Sequence, residues 1–382
     1  MRAFFLSGAF AVLGLVMAGS CVAGTEDRPD RDGDFWKDLA SADWARLYEN
    51  KEGPIERVDL IGRIDLQSGY IDSDFGSADR LELRRFRLGT EVRFLDEWRL
   101  KVVANLVDEE VVSYGSINTA TLRYRPSKHF KLTLGKQVAP FGQEWSTPSI
   151  DLGVIERSLL TEQVRPSQAV GLNVEGDWNQ FDYEVGVFSG NVDRGFGDFD
   201  AGLFYVASLG YDFTEIFDYW KDFDVRLYYI YNDGNASNNA AEPYEHAVSA
   251  ALKLRKNQFR FDGEMIYAEG MEGRADVWGV IATPTWEVIE DKLELVLRYH
   301  YAKSDGADGL RLRKRYETRV PDLLDGGRGE EYHSFYVGFR YKIIEDRLLF
   351  MAGGEWAEML DTEGDGGDLD SFSLLSALRI DF

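Results

Sequence analysis

A single cysteine, Cys21, is present among the 382 residues. One thiol can form neither an internal disulfide nor a thiolate metal site. Histidine is also rare, and its four members, His129, His246, His300 and His333, are scattered without the spacing of metal ligands. The sequence therefore predicts no metal site and no cofactor.

The chain has fewer basic than acidic residues. Lys and Arg number 43 against 67 Asp and Glu, which gives a formal net charge of -24. An acidic surface repels the phosphate backbone, so nucleic acid is not expected as a partner. Anionic ligands remain open, because the local charge inside a cavity can oppose the global sign.

Apart from its first residues, the chain has no long apolar run. After residues 1–23 there is no stretch of about 18 uncharged apolar residues, so no transmembrane helix is expected in the mature chain. Residues 1–23 predict a signal peptide, because Arg2 precedes an apolar run over residues 4–17 and small residues follow. Cleavage after Ala23 fits this pattern, and cleavage after Ser20 or lipidation at Cys21 are the alternatives.

Residues 24–56 predict a periplasmic extension that precedes the main domain. The segment begins acidic and polar, unlike the alternating pattern that follows it. A short helical patch is predicted from Asp43 to Tyr48.

From about Val58 onward, apolar and polar residues alternate with the period of a β-strand. In the first strand one face carries Val58, Leu60, Ile64, Leu66 and Tyr70, and the other carries Asp59, Arg63, Asp65 and Gln67. A soluble β-sandwich also alternates, but here short and long connections alternate as well, which is typical of barrels with short periplasmic turns. The sequence therefore predicts an all-β fold, a transmembrane antiparallel β-barrel of about 16 strands over residues 57–382, with long extracellular loops.

Aromatic residues near strand ends predict the girdles of a bacterial outer-membrane barrel. The chain ends on Phe382, on the apolar face of the last strand, which resembles the C-terminal signature of outer-membrane proteins. About 16 strands enclose a lumen too wide for side chains to fill. We therefore expect a water-filled channel for the passive diffusion of small hydrophilic solutes.

One wall of this lumen is predicted to be basic. By strand parity, the inward residues of the first five strands include Arg63, Arg85, Arg87, Arg93, Arg99, Lys101, Arg123, Arg125 and Lys131. Guanidinium groups present a planar fork of donors that suits anions such as phosphate. Pairing with inward carboxylates is the alternative, and the candidates are Asp65, Glu91, Glu175 and Glu184.

The connection over residues 139–167 is predicted to fold inward as a constriction loop. It carries apolar residues that an exposed loop would leave in water, among them Ile150, Leu152 and Leu159. Packing on neighbouring loops or on another subunit is the alternative. The candidate constriction residues are Pro140, Phe141, Gly142, Glu144, Asp151, Glu156 and Arg157.

This stretch resembles the phosphate-selective porin O and P family. The matching residues are Gly135, Pro140–Phe141–Gly142, Glu144, Asp151–Leu152, Glu156–Arg157–Ser158–Leu159, Pro166 and Gly171–Leu172. The upstream run Leu83–Arg84–Arg85–Phe86–Arg87–Leu88–Gly89 is similar to a further motif of that family. Gln168 stands where the family often has Arg. The resemblance implies a trimeric 16-stranded channel in which inward Arg and Lys residues guide anions.

Other functions remain as alternatives to the anion channel. A general non-selective porin would also carry lumenal charges. An outer-membrane enzyme needs a nucleophile with a base in reach, and the pair His300 and Ser304 has no third group. A non-conducting barrel that serves as an anchor is the last alternative. We expect no enzyme, and outer-membrane lipids, lipopolysaccharide and small anions as partners.

Two charge clusters fall in the predicted outer loops. Arg311, Arg313, Lys314, Arg315 and Arg319 are expected in a solvated loop or against anions and lipopolysaccharide phosphates. The acidic run over residues 361–366 lacks both the flanking helices and the final Glu of a calcium loop.

Overall fold

The computed structural model describes residues 41, 43–107, 111–235, 237–306, 309–312, 314–320, 327–344, 347–360 and 368–382. The chain divides into two compact units, Met1–Trp44 and Ala45–Phe382. The predicted signal peptide, most of the predicted extension and the acidic run over residues 361–366 lie outside the described residues.

Strands dominate the second unit. They are β1 (Arg46–Glu49), β2 (Ile55–Ser73), β3 (Gly76–Phe94), β4 (Trp98–Asn105), β5 (Ser116–Ser127), β6 (Phe130–Val138), β7 (Gln168–Trp178), β8 (Phe181–Ser189), β9 (Leu203–Asp212), β10 (Asp222–Asn232), β11 (Tyr244–Lys256), β12 (Phe259–Gly270), β13 (Val277–Ile289), β14 (Leu293–Ser304), β15 (Leu310–Arg311), β16 (Arg328–Gly329), β17 (Glu331–Ile344), β18 (Leu348–Leu360) and β19 (Leu369–Asp381). Two short helices, α1 (Gln143–Ser146) and α2 (Leu159–Val164), lie between β6 and β7. Single 3-10 turns span Asp43–Ala45 and Glu317–Arg319.

Sixteen of these strands form one closed antiparallel barrel, which confirms the predicted fold class. Each strand of β2–β14 and β17–β19 pairs with its neighbour in the chain, and β19 returns to pair with β2 from Ser371↔Ser73 to Asp381↔Arg63. Closure leaves the sheet no long unpaired edge, as the hydrocarbon region of a membrane requires. The two-residue strands β15 and β16 pair only with each other.

The predicted helical patch over residues 43–48 is wrong for its second half. Arg46–Glu49 is the strand β1, which pairs with the start of β2 from Arg46↔Asp59 to Glu49↔Arg57. The reason lies in the barrel seam. The ladder between β19 and β2 ends at Asp381↔Arg63, so the first residues of β2 have no partner from β19. β1 satisfies the remaining backbone groups, and this long-range pairing outweighs local helix propensity.

Connections alternate in length over most of the barrel, as the sequence predicted, but on the side of the long loops β2 and β3 are joined by residues 74–75 alone. Short turns join β3 to β4, β5 to β6, β7 to β8, β11 to β12 and β13 to β14. Several of their residues adopt left-handed backbone conformations that tight turns require, including Asp96, Asn179, Asn257 and Asp291. The connection from β9 to β10 is longer, over residues 213–221, and its Phe213 and Phe217 rings cluster with the Phe223 ring of β10.

The barrel carries its apolar side chains outward and its charges inward. Leu295, Val337 and Leu374 are about half exposed on the outer face, whereas the intervening Glu294 and Arg379 are buried inside. Aromatic rings mark the outer face near the strand ends: Trp98 packs on Tyr124 with ring centroids 4.7 Å apart, and Trp278 on Tyr301 at 5.4 Å. This inside-out pattern is that of a barrel embedded in lipid. None of the described helices is long and apolar enough to cross a membrane.

The C-terminal residue closes the seam. Phe382 exchanges two backbone hydrogen bonds with Gly62, of 2.8 and 3.0 Å. A Cβ at position 62 would overlap the Phe382 ring, so a glycine is needed here for the terminal aromatic ring to lie on the strand.

Candidate channel lumen

The connection over residues 139–167, called the inward loop below, enters the barrel. Phe141, Leu159 and Leu160 pack into one apolar cluster with inward residues of β11–β14. Leu152 and Val154 join Val296 and Tyr336 in a second cluster. The loop therefore lies against the wall formed by β11–β14, β17 and β19, and Glu156 also accepts a hydrogen bond from the Gln67 side chain of β2.

Three arginines of that wall hold the backbone of the inward loop. The Arg298 Nη1 donates to the Glu156 carbonyl at 2.7 Å, and the Arg340 Nη2 donates to the Ile150 carbonyl at 2.9 Å. Arg379 donates to the carbonyls of Ser149 and Ile155, the latter at 2.8 Å. Five donors in a planar fork allow Arg298 and Arg340 to bind a loop carbonyl and a wall carboxylate together, and allow Arg379 to bind two loop carbonyls.

Two buried carboxylates fix the two helices of the loop. Glu264 on β12 accepts from the backbone N–H groups of Gln143 and Glu144, at 3.0 and 2.9 Å. Glu144 accepts from the Ser158 hydroxyl at 2.7 Å and from the Arg298 Nη1 at 3.1 Å. Gly142 has a φ of 72°, and a Cβ there would meet the Glu264 carboxylate, so only glycine fits this turn.

The predicted constriction residues divide into two groups. Phe141, Gly142 and Glu144 are buried against the wall and hold the loop. Pro140, Glu156 and Arg157 are half-buried and Asp151 is exposed to the lumen.

Arg157 folds back on the loop itself. Its guanidinium donates to the carbonyls of Glu144 and Thr147, at 3.0 and 2.9 Å, and lies 4.9 Å from the centroid of the Trp145 ring. Burial lowers the pKa of Arg157 to about 10, and the nearby cations Arg85 and Arg165 act in the same direction. Arg157 is therefore charged at neutral pH while it donates hydrogen bonds to the loop backbone.

The predicted basic residues lie on the wall of β2–β6. Arg93 is directly opposite Arg99 across the β3–β4 ladder, and Arg99 is directly opposite Arg123 across the β4–β5 ladder. Three arginines thus stand side by side on three neighbouring strands. Arg87, six residues before Arg93 on the same face of β3, donates to the Asn105 side chain at 2.9 Å.

Some of these cations are paired and others are not. Asp65 binds both Arg63 and Arg85, at 2.9 and 2.7 Å. Glu91 lies within 4 Å of both Arg93 and Arg99.

Two further pairs complete the set: Glu175 binds Lys131, and Asp381 lies 4.0 Å from Arg63. In the part of the chain that the structure describes, Lys101, Arg123 and Arg125 have no carboxylate within 4.0 Å. The alternative of pairing with carboxylates therefore holds for five of the nine cations, and the wall keeps an excess of positive charge.

The basic cluster expected in a solvated outer loop is partly buried instead. Lys314 is 4% exposed and binds Glu355 at 2.6 Å, and Arg315 binds Glu82. Arg319 is exposed as expected, and Arg313 lies outside the described residues. The difference arises because this loop also enters the barrel, where inward carboxylates of β3 and β18 replace water.

Sequence reasoning missed Arg298, Arg340 and Arg379 as the anchors of the inward loop. Strand parity places each of them inside, since each alternates with outward apolar residues such as Leu297 and Leu378. Parity alone gives no partner, because the loop residues that they bind are more than 100 positions away.

A cavity of about 200 Å³ remains between the inward loop and β11–β13. Asp151, Lys253, Arg260, Asp262 and Thr283 contribute to its lining. Within the described ranges, no group of three or more His, Cys, Asp or Glu residues could hold a metal ion.

A closed 16-stranded barrel with an apolar outer face and a charged lumen is the architecture of an outer-membrane β-barrel protein. Residues 59–211 match the family model described as phosphate-selective porin O and P, which confirms the predicted resemblance over that part of the chain. This match and the fold indicate an outer-membrane channel rather than an enzyme. No curated protein matches the chain significantly.

Several solved outer-membrane proteins share the fold. The outer-membrane channel DcaP of Acinetobacter baumannii is 14% identical, with a TM-score of 0.55 over 88% of this chain and 99% of its own. An anion-selective porin from Comamonas acidovorans is 11% identical, with a TM-score of 0.57 over 85% and 99%. OmpF of Salmonella typhi is 11% identical, with a TM-score of 0.58 over 88% and 100%.

Proposed function

We propose that the chain is a passive, anion-preferring channel whose permeation path runs between the inward loop and the basic wall. The observation that carries this proposal is the row Arg93, Arg99 and Arg123 on three adjacent strands. Like charges directly opposite each other destabilise a sheet. One carboxylate, Glu91, lies within 4 Å of Arg93 and Arg99, so the row keeps an excess of two positive charges, and an anion in the lumen would reduce their repulsion.

The two walls of the lumen differ in what their cations can do. Arg298 and Arg340 bind loop carbonyls and wall carboxylates, and Arg379 is buried and binds two loop carbonyls, so these arginines are not available to a solute. Lys101, Arg123 and Arg125 lack such partners among the described residues. The positive field is therefore strongest on one side of the path, and low-dielectric walls focus it on the passing ion.

Phosphate is the anion that this site chemistry fits best. Arginine forks bind phosphate oxygens through paired N–H donors, and they stay charged at every physiological pH. The Comamonas porin that shares the fold is named anion-selective, and the matching family is described as phosphate-selective. These names support the proposal, and a general porin without anion preference is the competing function.

The test is a reversal-potential measurement in a planar bilayer under a KCl gradient, with phosphate then added. The variant replaces Lys101, Arg123 and Arg125 by Gln. We expect the wild-type channel to prefer chloride and to be blocked by phosphate, and the variant to lose most of both effects. Chloride preference and phosphate block should change because these three cations have no carboxylate partner that would neutralise their field.

The matched control removes three lysines from the short-turn end, Lys51, Lys221 and Lys292, all exposed. It changes the net charge equally and should keep chloride preference. Equal cation and anion permeability in the wild type would favour the general porin. Loss of preference in both variants would assign it to net charge rather than to the basic wall.

We also propose a homotrimer embedded in outer-membrane lipids and lipopolysaccharide. β4 has eight residues, fewer than the roughly 9–11 that span a bilayer, so its outer end needs cover other than lipid. A neighbouring copy would supply that cover. Light scattering of the purified protein in detergent should give three chains per particle, and a mass of one chain would rule the trimer out.

A further inference from the structure

A second loop enters the barrel beside the inward loop. Between β14 and β17, the described residues Gly309–Leu312 and Lys314–Val320 lie inside the strand wall; they are called the second loop below. Leu310, Leu312, Tyr316 and Val320 are all at most 5% exposed. A loop in solvent would not bury four large apolar side chains.

The second loop contacts the inward loop directly. The Gln163 side chain of α2 donates to the Gly309 carbonyl at 2.7 Å and accepts from the Arg311 backbone N–H at 2.9 Å. Tyr316 shares an apolar cluster with Ile155 of the inward loop and with Met351 and Leu375 of the wall. The two loops therefore form one packed body on the same side of the lumen.

A buried chain of alternating charges joins the two loops through the wall. Glu144 of the inward loop binds Arg298 at 3.1 Å, and Arg298 binds Glu355 of β18 at 3.0 Å. Glu355 binds Lys314 of the second loop at 2.6 Å, and Lys314 lies 3.5 Å from Glu317. All five side chains are less than 10% exposed, so removal of one cation leaves buried carboxylates short of a partner.

The second loop also extends to the start of the barrel. Arg315 forms an ion pair with Glu82 of β3, with one hydrogen bond of 2.7 Å from Nη2 to Oε2. The ring of Tyr316 lies against Gly69 of β2, where a Cβ would overlap it. The second loop is thus fixed at both β18 and β2–β3, on either side of the barrel seam.

We propose that the second loop is a second constricting element, and that Lys314 is the positioning residue that fixes the inward loop and so sets the pore width. Lys314 does not touch the permeation path; it acts through Glu355 and Arg298. The proposal goes beyond anion preference, because pore width is independent of the sign of the permeating ion.

The experiment compares Lys314→Met with Arg319→Met in the full-length protein. Arg319 also belongs to the second loop but is exposed, so it is a matched control for the loss of one cation. We expect Lys314→Met to raise single-channel conductance about twofold or more and to add fluctuating sublevels, because current follows the narrowest section of the path. Arg319→Met should keep the wild-type conductance, and Lys314→Arg should restore steady current.

A protease assay gives a second readout that does not depend on conduction. In detergent, trypsin should leave the bond after Arg315 intact in the wild type and in Arg319→Met, and should cut it in Lys314→Met. Gln163→Leu, which removes the other contact between the loops, should also raise conductance if Lys314→Met does not fold.

Unchanged conductance together with an uncut loop in both Lys314→Met and Gln163→Leu would overturn the proposal. A wild-type channel that conducts without anion preference would leave it standing, since pore width and protease protection would still change. A wild type that does not conduct would contradict both the proposed function and the role in pore width, even if the protease result confirmed that Lys314 holds the loop.

Discussion

Arg298→Met is expected to lower the free energy of unfolding by about 3–5 kcal/mol, the range for removal of one partner from a buried ion pair. Arg298 is 1% exposed and binds Glu144, Glu355 and the Glu156 carbonyl. Its loss leaves Glu144 without an ion-pair partner among the described residues and Glu355 with Lys314 alone. Urea titration of the protein in lipid vesicles, followed by Trp fluorescence, measures the change.

Arg93→Met is the matched control for Arg298→Met. Arg93 also faces the lumen and also binds a carboxylate, Glu91 at 3.3 Å, but its side chain is 37% exposed. Water screens such a pair, so its removal should cost no more than about 1 kcal/mol. Equal losses for the two variants would mean that burial of Arg298 does not decide the stability of the barrel.

Leu297→Arg is expected to destabilise the barrel by about 2–4 kcal/mol, the cost of a cation on the lipid face near the bilayer midplane. Leu297 neighbours Arg298 in β14 but points outward, is 40% exposed and pairs with the outward Val337. The same vesicle titration measures the effect.

Thr283→Arg is the control for Leu297→Arg. Thr283 lines the lumenal cavity beside Asp262, where an added cation stays in contact with water and with a carboxylate. We expect a much smaller loss than for Leu297→Arg. If Thr283→Arg proved the more costly of the two, the outward and inward faces of the barrel would have been assigned the wrong way round.

Much of the barrel could be predicted from local pattern. Alternation along β14 separates outward Leu297 from inward Arg298, because successive side chains of a strand point to opposite faces. Arg46–Tyr48 was mispredicted as helix, because the free edge of β2 that captures this segment is a long-range feature. Strand number followed from counting turns, since each short turn returns the chain to an adjacent strand.

For the lumen, the sequence predicted that the inward loop is buried but not which residues hold it. The apolar residues of the inward loop indicated that it is buried, and Phe141, Leu159 and Leu160 do lie in the apolar cluster. Nothing in its sequence pointed to Arg298, Arg340 and Arg379 as the groups that hold it. The burial of Lys314 was missed for the same reason, since its partner Glu355 is on a strand that follows it in the chain.

By itself, the sequence determined a closed barrel with a charged interior, because period-two alternation fixes the faces and unpaired backbone groups in lipid force closure. The tertiary structure alone decided which of the interior charges are bound to carboxylates or to loop carbonyls. The contacts that join Arg298 and Arg379 to the inward loop link residues that are 154 and 224 positions apart in the chain. Chain closure brings them together, and no local pattern encodes such pairs.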